Sequence, residues 1–134
     1  MVAKKQIETF LASPVVGVVG ASKERSKFGN KVLRCYLENG RQAIPVHPHE
    51  TEIEGLACVA SVAELPDSVN SISIITPPKI TGKVVEMAAE KGISNVWMQP
   101  GAQSTEAIQF CEEQGMNLIA DGTCVLVELG FSGH

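Results

Sequence analysis

The sequence predicts an α/β fold of three layers, a mostly parallel sheet with helices on both faces. Strand-like and helix-like stretches alternate along most of the chain, which calls for parallel strands joined by right-handed crossovers. The strand-like runs are short, β-branched and continuously apolar, the pattern of strands covered on both sides. The helical stretches stop at Gly40, Gly92 and Gly115, where glycine readily ends a helix. A length of 134 residues suits one domain, residues 1–134, able to bury roughly two-thirds of the surface its unfolded form exposes.

The elements follow in order. Lys4 to Ala12 forms an amphipathic helix with Ile7, Phe10 and Leu11 inward, broken at Ser13-Pro14. Val15 to Val19 is the first core strand. Gly29 to Asn39 carries Val32, Leu33, Tyr36 and Leu37 at helical spacing, and Gln42 to Val46 is the second strand, so that Val15 to Val46 has the size of one strand–helix–strand unit. Pro45 brings a missing N–H donor into that strand, which places the strand near a sheet edge or the proline near a strand end. A short strand at Leu56 to Cys58 precedes a capping-box pattern, Ser61 to Glu64, that opens a short helix ending by Pro66. Ser71 to Ile75 is a strand halted by Thr76-Pro77-Pro78; Ile80 to Lys91 is a helix with Val84, Val85, Met87 and Ala88 on one side. Asn95 to Met98 is a strand closed by Gln99-Pro100-Gly101. Ser104 caps the next helix, which ends at Gly115, and Asn117 to Ala120 is the last strand.

Composition excludes several functional classes. Eleven Lys plus Arg against 15 Asp plus Glu leave a net charge of −4, against a protein that coats nucleic acid by bulk positive charge. Aromatic residues make up 4%, too few for the stacking platforms of single-strand binders. No run approaches the roughly 20 apolar residues of a membrane span. Cys35, Cys58, Cys111 and Cys124 stand far apart with no C-x-x-C pair, and no signal segment precedes the domain, so a reducing cytoplasm is the expected compartment.

In an open parallel sheet, ligands sit beyond the carboxyl ends of the strands. Gly20-Ala21-Ser22, His47-Pro48-His49, Thr76-Pro77-Pro78 and Gln99-Pro100-Gly101 occupy such ends. Gly17 to Ser22 reads G-x-x-G-x-S, short of a standard dinucleotide turn, but Gly20 lets a backbone approach a ligand and the following helix offers unpaired N–H groups to phosphate. Lys23, Arg25, Lys27, Lys31 and Arg34 cluster there, opposed in that stretch by Glu24 alone. The pattern points to an anion site; the plainer reading is a strand end followed by a solvated helix face. The acidic residue with which NAD sites hold the ribose hydroxyls is missing after Val46, where His47-Pro48 stands, so coenzyme A and NADP, each with an extra ribose phosphate, rank above NAD.

From about Val15 to Leu129 the chain resembles a small stand-alone member of the CoA-binding-domain family, related to the nucleotide-binding part of succinyl-CoA synthetase α-subunits. The matching segments are Val18-Val19-Gly20-Ala21-Ser22, Phe28-Gly29-Asn30, Val46-His47-Pro48, Ile75-Thr76-Pro77-Pro78 and Gln99-Pro100-Gly101. The resemblance implies a Rossmann-like fold whose crevice holds coenzyme A. The pyrophosphate would lie over Gly20, Ala21 and Ser22 and the helix start at Phe28-Gly29-Asn30, with Lys23, Arg25 and Lys27 as its nearest cations. The adenosine would lie near His47 and Pro48; Thr76, Pro77 and Pro78 would wall the adenosine or pantetheine, and Gln99, Pro100 and Gly101 would lie toward the thiol. It transfers binding and not ligase chemistry, since the histidine that succinyl-CoA synthetases phosphorylate belongs to a separate domain.

No catalytic residue is assigned. His47 and His49 with Glu50 and Glu52 are potential metal ligands, but no distant pair completes a closed site, and no metal is expected. No cysteine has an activating neighbourhood with His47, His49 or His134, and Cys124, set in a segment where the family commonly has a cysteine, is read as buried and structural. Two functions compete: a non-catalytic module that binds coenzyme A or an acyl-CoA, and an NADP- or NAD-binding oxidoreductase subunit, for which a substrate domain would be needed. The opening helix and Gly130-Phe131 could contact a second copy or a partner enzyme, with packing on their own domain as the default.

Overall fold

The valine-rich runs and amphipathic stretches resolve into alternating strands and helices in the computed structural model, which describes residues 4–131. The order is α1 (Lys4–Leu11), β1 (Val15–Val19), α2 (Phe28–Glu38), β2 (Gln42–Val46), a small hairpin of β3 (Glu52–Ile53) and β4 (Leu56–Ala57), and a single 3-10 turn at Val62–Glu64. There follow β5 (Ser71–Ile74), α3 (Pro78–Lys91), β6 (Asn95–Met98), α4 (Thr105–Glu113), β7 (Asn117–Ile119) and α5 (Val125–Leu129). The main sheet runs β2-β1-β5-β6-β7 with every pairing parallel. The expected α/β fold is therefore present, a Rossmann-like arrangement with helices on both faces.

Alternation along each strand divides the core in two. Val19, Ile72, Ile74, Val96 and Met98 face α3, α4 and the 3-10 turn, and pack on Val62, Val84, Val85 and Cys111. Val16, Val18, Trp97 and Ile119 face α1, α2 and α5, against Phe10, Val32, Leu33, Tyr36 and Val125. Phe10 meets Trp97 edge-on with ring centroids 5.2 Å apart, a contact of about 1 kcal/mol beyond its buried area that seats the opening helix on its own sheet. Phe131 is likewise buried, its ring under the Arg34 guanidinium at 5.2 Å. Both apolar segments considered for a subunit contact thus pack on their own chain.

Pro45 shows how an edge strand tolerates proline. β2 lies at the sheet edge, and the Pro45 carbonyl accepts from Val59 N–H at 3.1 Å on the side away from β1. In a parallel strand the N–H and C=O of one residue face the same way, so the absent donor costs no bond to β1.

Some expectations need correction. Ser61 makes no side-chain cap, and the expected capped helix is one 3-10 turn. The strand expected at Leu56 to Cys58 ends at Ala57 and is half of a hairpin whose other half, β3, carries no strand signal in the sequence. Its two-residue turn, Glu54-Gly55, has positive φ at both positions (53° and 80°), the requirement usually met by Asn-Gly or Asp-Gly. Helix α3 starts at Pro78, a proline at the first helical position, not at Ile80. Helix α5 is an addition to the expected elements. The expected cap at Ser104 is present, its hydroxyl accepting from Ala107 N–H at 3.1 Å.

Candidate functional site

Strand order decides where a cleft can open. From β1 the chain crosses to β2 on one side, and later returns to β5 on the other side of β1. The connections after β1 and β5 leave in opposite directions, which is the switch point of an open parallel sheet. A cleft of about 420 Å³ lies there, within the range of small-molecule sites. Its floor is Val19 to Ser22 at the end of β1, one flank is Val46, His47 and Pro48, and the other is Ile75, Thr76 and Pro77. Thus Gly20, Ala21, Ser22, His47, Pro48, Thr76 and Pro77 of the expected site come together.

Two glycines make the floor. Gly20 has φ +97°, and a Cβ there would stand 2.9 Å from the Ile75 carbonyl carbon, so the turn after β1 runs directly against the end of β5. A Cβ on Gly29 would lie 2.1 Å from the Gly20 carbonyl oxygen. The start of α2 is therefore seated backbone to backbone on the turn, and its N-cap, Lys27, supplies no side-chain cap. The Gly20 turn and the start of α2 thus form one close main-chain cradle, of which Gly20, Ala21 and Ser22 line the floor of the cleft; a phosphate suits the N-terminus of a helix held in this way. Gly17 serves the core instead, since a Cβ there would meet Leu65 Cδ1 at 2.9 Å.

Other expected residues serve the frame. Asn30 is buried; its Nδ2 donates to the Ser22 carbonyl (2.9 Å) and to Glu54 Oε2 (3.0 Å), and its Oδ1 accepts from Arg34 Nε (2.6 Å). Phe28 is half-buried against the α2 side of the core. Gln99 is fully buried: Nε2 donates to Ser73 Oγ at 2.9 Å and Oε1 accepts from Val125 N–H at 3.0 Å, fixing the start of α5. Its amide is thus taken up within the chain, while Pro100 and Gly101 follow it at the end of β6. Pro78 is the exposed first residue of α3, and Pro100 and Gly101 line a separate hollow of about 230 Å³ beyond the Thr76-Pro77 ridge.

The cations also stand differently. Lys23, Arg25 and Lys27 are exposed at the rim and face acids: Lys23 lies 4.0 Å from Glu50, Arg25 3.5 Å from Glu54, Lys27 3.7 Å from Glu24. Counting the local stretch credits Glu24 alone; the loop and hairpin after β2 bring Glu50 and Glu54 across from a distance in sequence. The patch is largely balanced by exposed pairs, each worth at most about 1 kcal/mol and yielding readily to a stronger anion.

Sequence reasoning misses the far wall. Ala60, Ser61 and Val62 and the α3 residues Ile80, Val84 and Met87 complete the cleft with a mostly apolar surface. The signal is present as the apolar stripe of α3, which reads as pure core; Ile80, 44% exposed, is the residue of that stripe that core packing leaves unexplained.

Polar groups at the cleft are few and fixed. The Thr81 hydroxyl donates to the Ala102 carbonyl at 2.7 Å, so the 2.8 Å contact with Thr76 takes the Thr76 proton and leaves Thr76 its acceptor lone pairs. Ser22 Oγ accepts from Glu24 N–H at 3.1 Å, which leaves its proton free to donate. Nδ1 of His47 accepts from the N–H groups of His49 and Glu50, both at 3.0 Å. Among the described residues no three His, Cys, Asp or Glu side chains gather as metal ligands. Burial pushes the Cys35 and Cys111 thiols up to about 11, while Cys124, expected to be buried, is only half-buried at the start of α5. His134 lies outside the described residues.

Known proteins resemble this chain over most of its length. A family model described as a CoA binding domain matches residues 15–130. ADP-forming acetate–CoA ligase I of Archaeoglobus fulgidus is 26% identical over 123 residues, covering 84% of this chain and 18% of the ligase. The α subunit of ADP-forming acetate–CoA ligase II of Pyrococcus furiosus is 26% identical over 115 residues, covering 78% of this chain and 25% of that subunit. The chain thus spans a quarter or less of these relatives. Among solved structures, a conserved hypothetical protein of Pyrococcus furiosus is 42% identical with a TM-score of 0.81, covering 84% of this chain and 97% of its own. A dinucleotide-forming acetyl-coenzyme A synthetase of Ca. Korarchaeum cryptofilum, in complex with phosphate and ADP, is 26% identical with a TM-score of 0.72, covering 81% of this chain and 26% of its own.

Proposed function

Because the chain belongs to the CoA-binding domain family, we propose that its switch-point cleft binds coenzyme A or an acyl-CoA and performs no chemistry of its own. The observation that carries this reading is the Gly20 turn, packed backbone to backbone with the start of α2 at Gly29 and forming the floor of an apolar cleft large enough for adenine. In this reading Gly20, Ala21 and Ser22 hold the pyrophosphate with the start of α2, while His47 and Pro48 face the adenosine across the cleft from Ile80, Val84 and Met87. The rim cations Lys23, Arg25 and Lys27 exchange their carboxylates for phosphate oxygens when the ligand arrives. Pantetheine crosses the Thr76-Pro77 ridge toward Pro100 and Gly101. The bound cofactor supplies a thiol; the chain supplies the grip and the direction in which that thiol leaves.

The lining supports a site that binds and does not react. His47 is the one titratable side chain among the lining residues, and its Nδ1 is engaged by its own loop. Presentation of the thiol to a partner enzyme fits relatives in which a similar stretch is part of a longer ligase or an α subunit. Free thiols at all four cysteines suit a reducing cytoplasm. Calorimetric titration with CoA, dephospho-CoA, NADP and NAD tests the reading: saturable heat with CoA is expected. Saturation with NADP and no heat with CoA would replace it by the oxidoreductase-subunit alternative.

A further inference from the structure

The loop after β2 engages one face of its own histidine. With both the His49 and Glu50 amides donating to Nδ1 at 3.0 Å, that nitrogen must present a lone pair, and the neutral ring carries its proton on Nε2. His47 therefore closes its loop as an Asn or Asp side chain would in an Asx turn, yet differs in what it leaves over. An aspartate in this position keeps acceptor oxygens for ribose hydroxyls. The ring keeps a single donor at the cleft wall.

We propose that His47 is a specificity residue that reads a hydrogen-bond acceptor through Nε2–H, namely the phosphomonoester on the ribose of the ligand. The inference rests on the CoA reading and deepens it. A free ribose diol asks for an acceptor at the end of this strand, and His47 has none to give. Pro48 has no N–H, so the adjoining backbone adds no competing donor. A phosphomonoester needs donors and positive charge, and both stand here: the Lys23 ammonium is 4.0 Å from the carboxylate of Glu50, the same residue whose amide holds His47. That long, exposed pair is easily surrendered to a doubly charged phosphate, and a donor bonded to an ionised oxygen is the stronger kind. Discrimination of CoA over dephospho-CoA of about tenfold or more follows.

Two measurements test this. Long-range proton–nitrogen NMR of the imidazoles, on protein without ligand, should show His47 protonated at Nε2 and bare at Nδ1; the opposite tautomer overturns the inference even if CoA binds. His47→Asp keeps an acceptor for the two amides and removes the donor, and should lower the ratio of CoA to dephospho-CoA affinity by about tenfold or more. His49→Asp, which adds the same charge two residues away on an exposed side chain outside the cleft lining, should lower that ratio several-fold less. Equal effects of the two variants, or a His47→Asp ratio within about twofold of wild type, overturn the contact. Wild-type protein with the expected tautomer and no affinity for CoA overturns the underlying reading, and the assignment falls with it.

Discussion

Replacing Gly29 by Ala asks whether the start of α2 sits directly on the Gly20 turn. A Cβ at Gly29 would stand 2.1 Å from the Gly20 carbonyl oxygen, whereas ordinary contact begins at 3.4 Å, so about 1.3 Å must be found. The oxygen belongs to the main chain, and no rotamer change can supply that distance. Overpacking of this kind costs about 1–3 kcal/mol, from which the better helix propensity of Ala returns up to about 1 kcal/mol. A net loss of about 1–2 kcal/mol is expected, lowering the urea midpoint by roughly 0.5–1 M for a chain of this size. The only tryptophan, Trp97, is fully buried, so its fluorescence reports the transition. Moving α2 off the turn also displaces the amides that would face a phosphate, and CoA affinity should fall by about tenfold or more. Gly82→Ala is the matched control: it lies inside α3 with nothing within 4 Å of its Cβ, and should stabilise by about 0.5–1 kcal/mol without touching affinity. If Gly29→Ala unfolds and binds as wild type does, the cradle is wrong.

Four further outcomes are expected. Lys23→Ala together with Arg25→Ala should weaken CoA about two- to tenfold at low salt and much less at about 0.5 M salt, because screening removes most of what exposed cations contribute; a salt-independent loss would remove them from the phosphate site. Ser104→Ala should cost about 1 kcal/mol in urea unfolding with no change in affinity, since it deletes the cap on Ala107 N–H of a helix away from the cleft. Burial raises the Cys35 and Cys111 thiols from 9.0 to about 11, so both should resist iodoacetamide at about pH 8 until the chain unfolds, read residue by residue by mass spectrometry. A folded-state pKa above the unfolded value stabilises the native state below pH 9.0 and ceases to do so as pH climbs toward about 11; native stability should fall across that window.

Much of this fold can be read from local pattern. Val15 to Val19 and Asn95 to Met98 announce buried parallel strands because both of their faces are covered, and Gly40, Gly92 and Gly115 mark where helices end. The hairpin is hidden because its turn uses Glu54 in the left-handed region, where the sequence signal is normally Asn or Asp; Glu54 is held there by Asn30 and Arg25, contacts no local window contains. Helix α5 spans five residues, too few for a periodic stripe. At the site, the glycine floor and the two flanks are legible because each sits at a strand end. Gln99 and Asn30 are not distinguishable in sequence from ligand-facing amides, since only the tertiary structure shows that their donors and acceptors are used internally. Glu50 and Glu54 defeat the charge count for the same reason: a sum over neighbours in sequence cannot see a carboxylate delivered by a hairpin. Ile80, Val84 and Met87 have the right period but two readings, core and cleft wall, and periodicity does not separate them.

The most direct measurement is amide-resolved NMR during a titration with CoA. Saturable shifts should concentrate at Gly20, Ala21, Ser22, His47 and Thr76 and along the cleft-facing side of α3, with the Gly92 and Gly115 turns at the opposite ends of the strands unmoved. Saturable shifts centred on those opposite ends, or a spectrum that CoA leaves unchanged, would contradict a nucleotide held over the Gly20 turn.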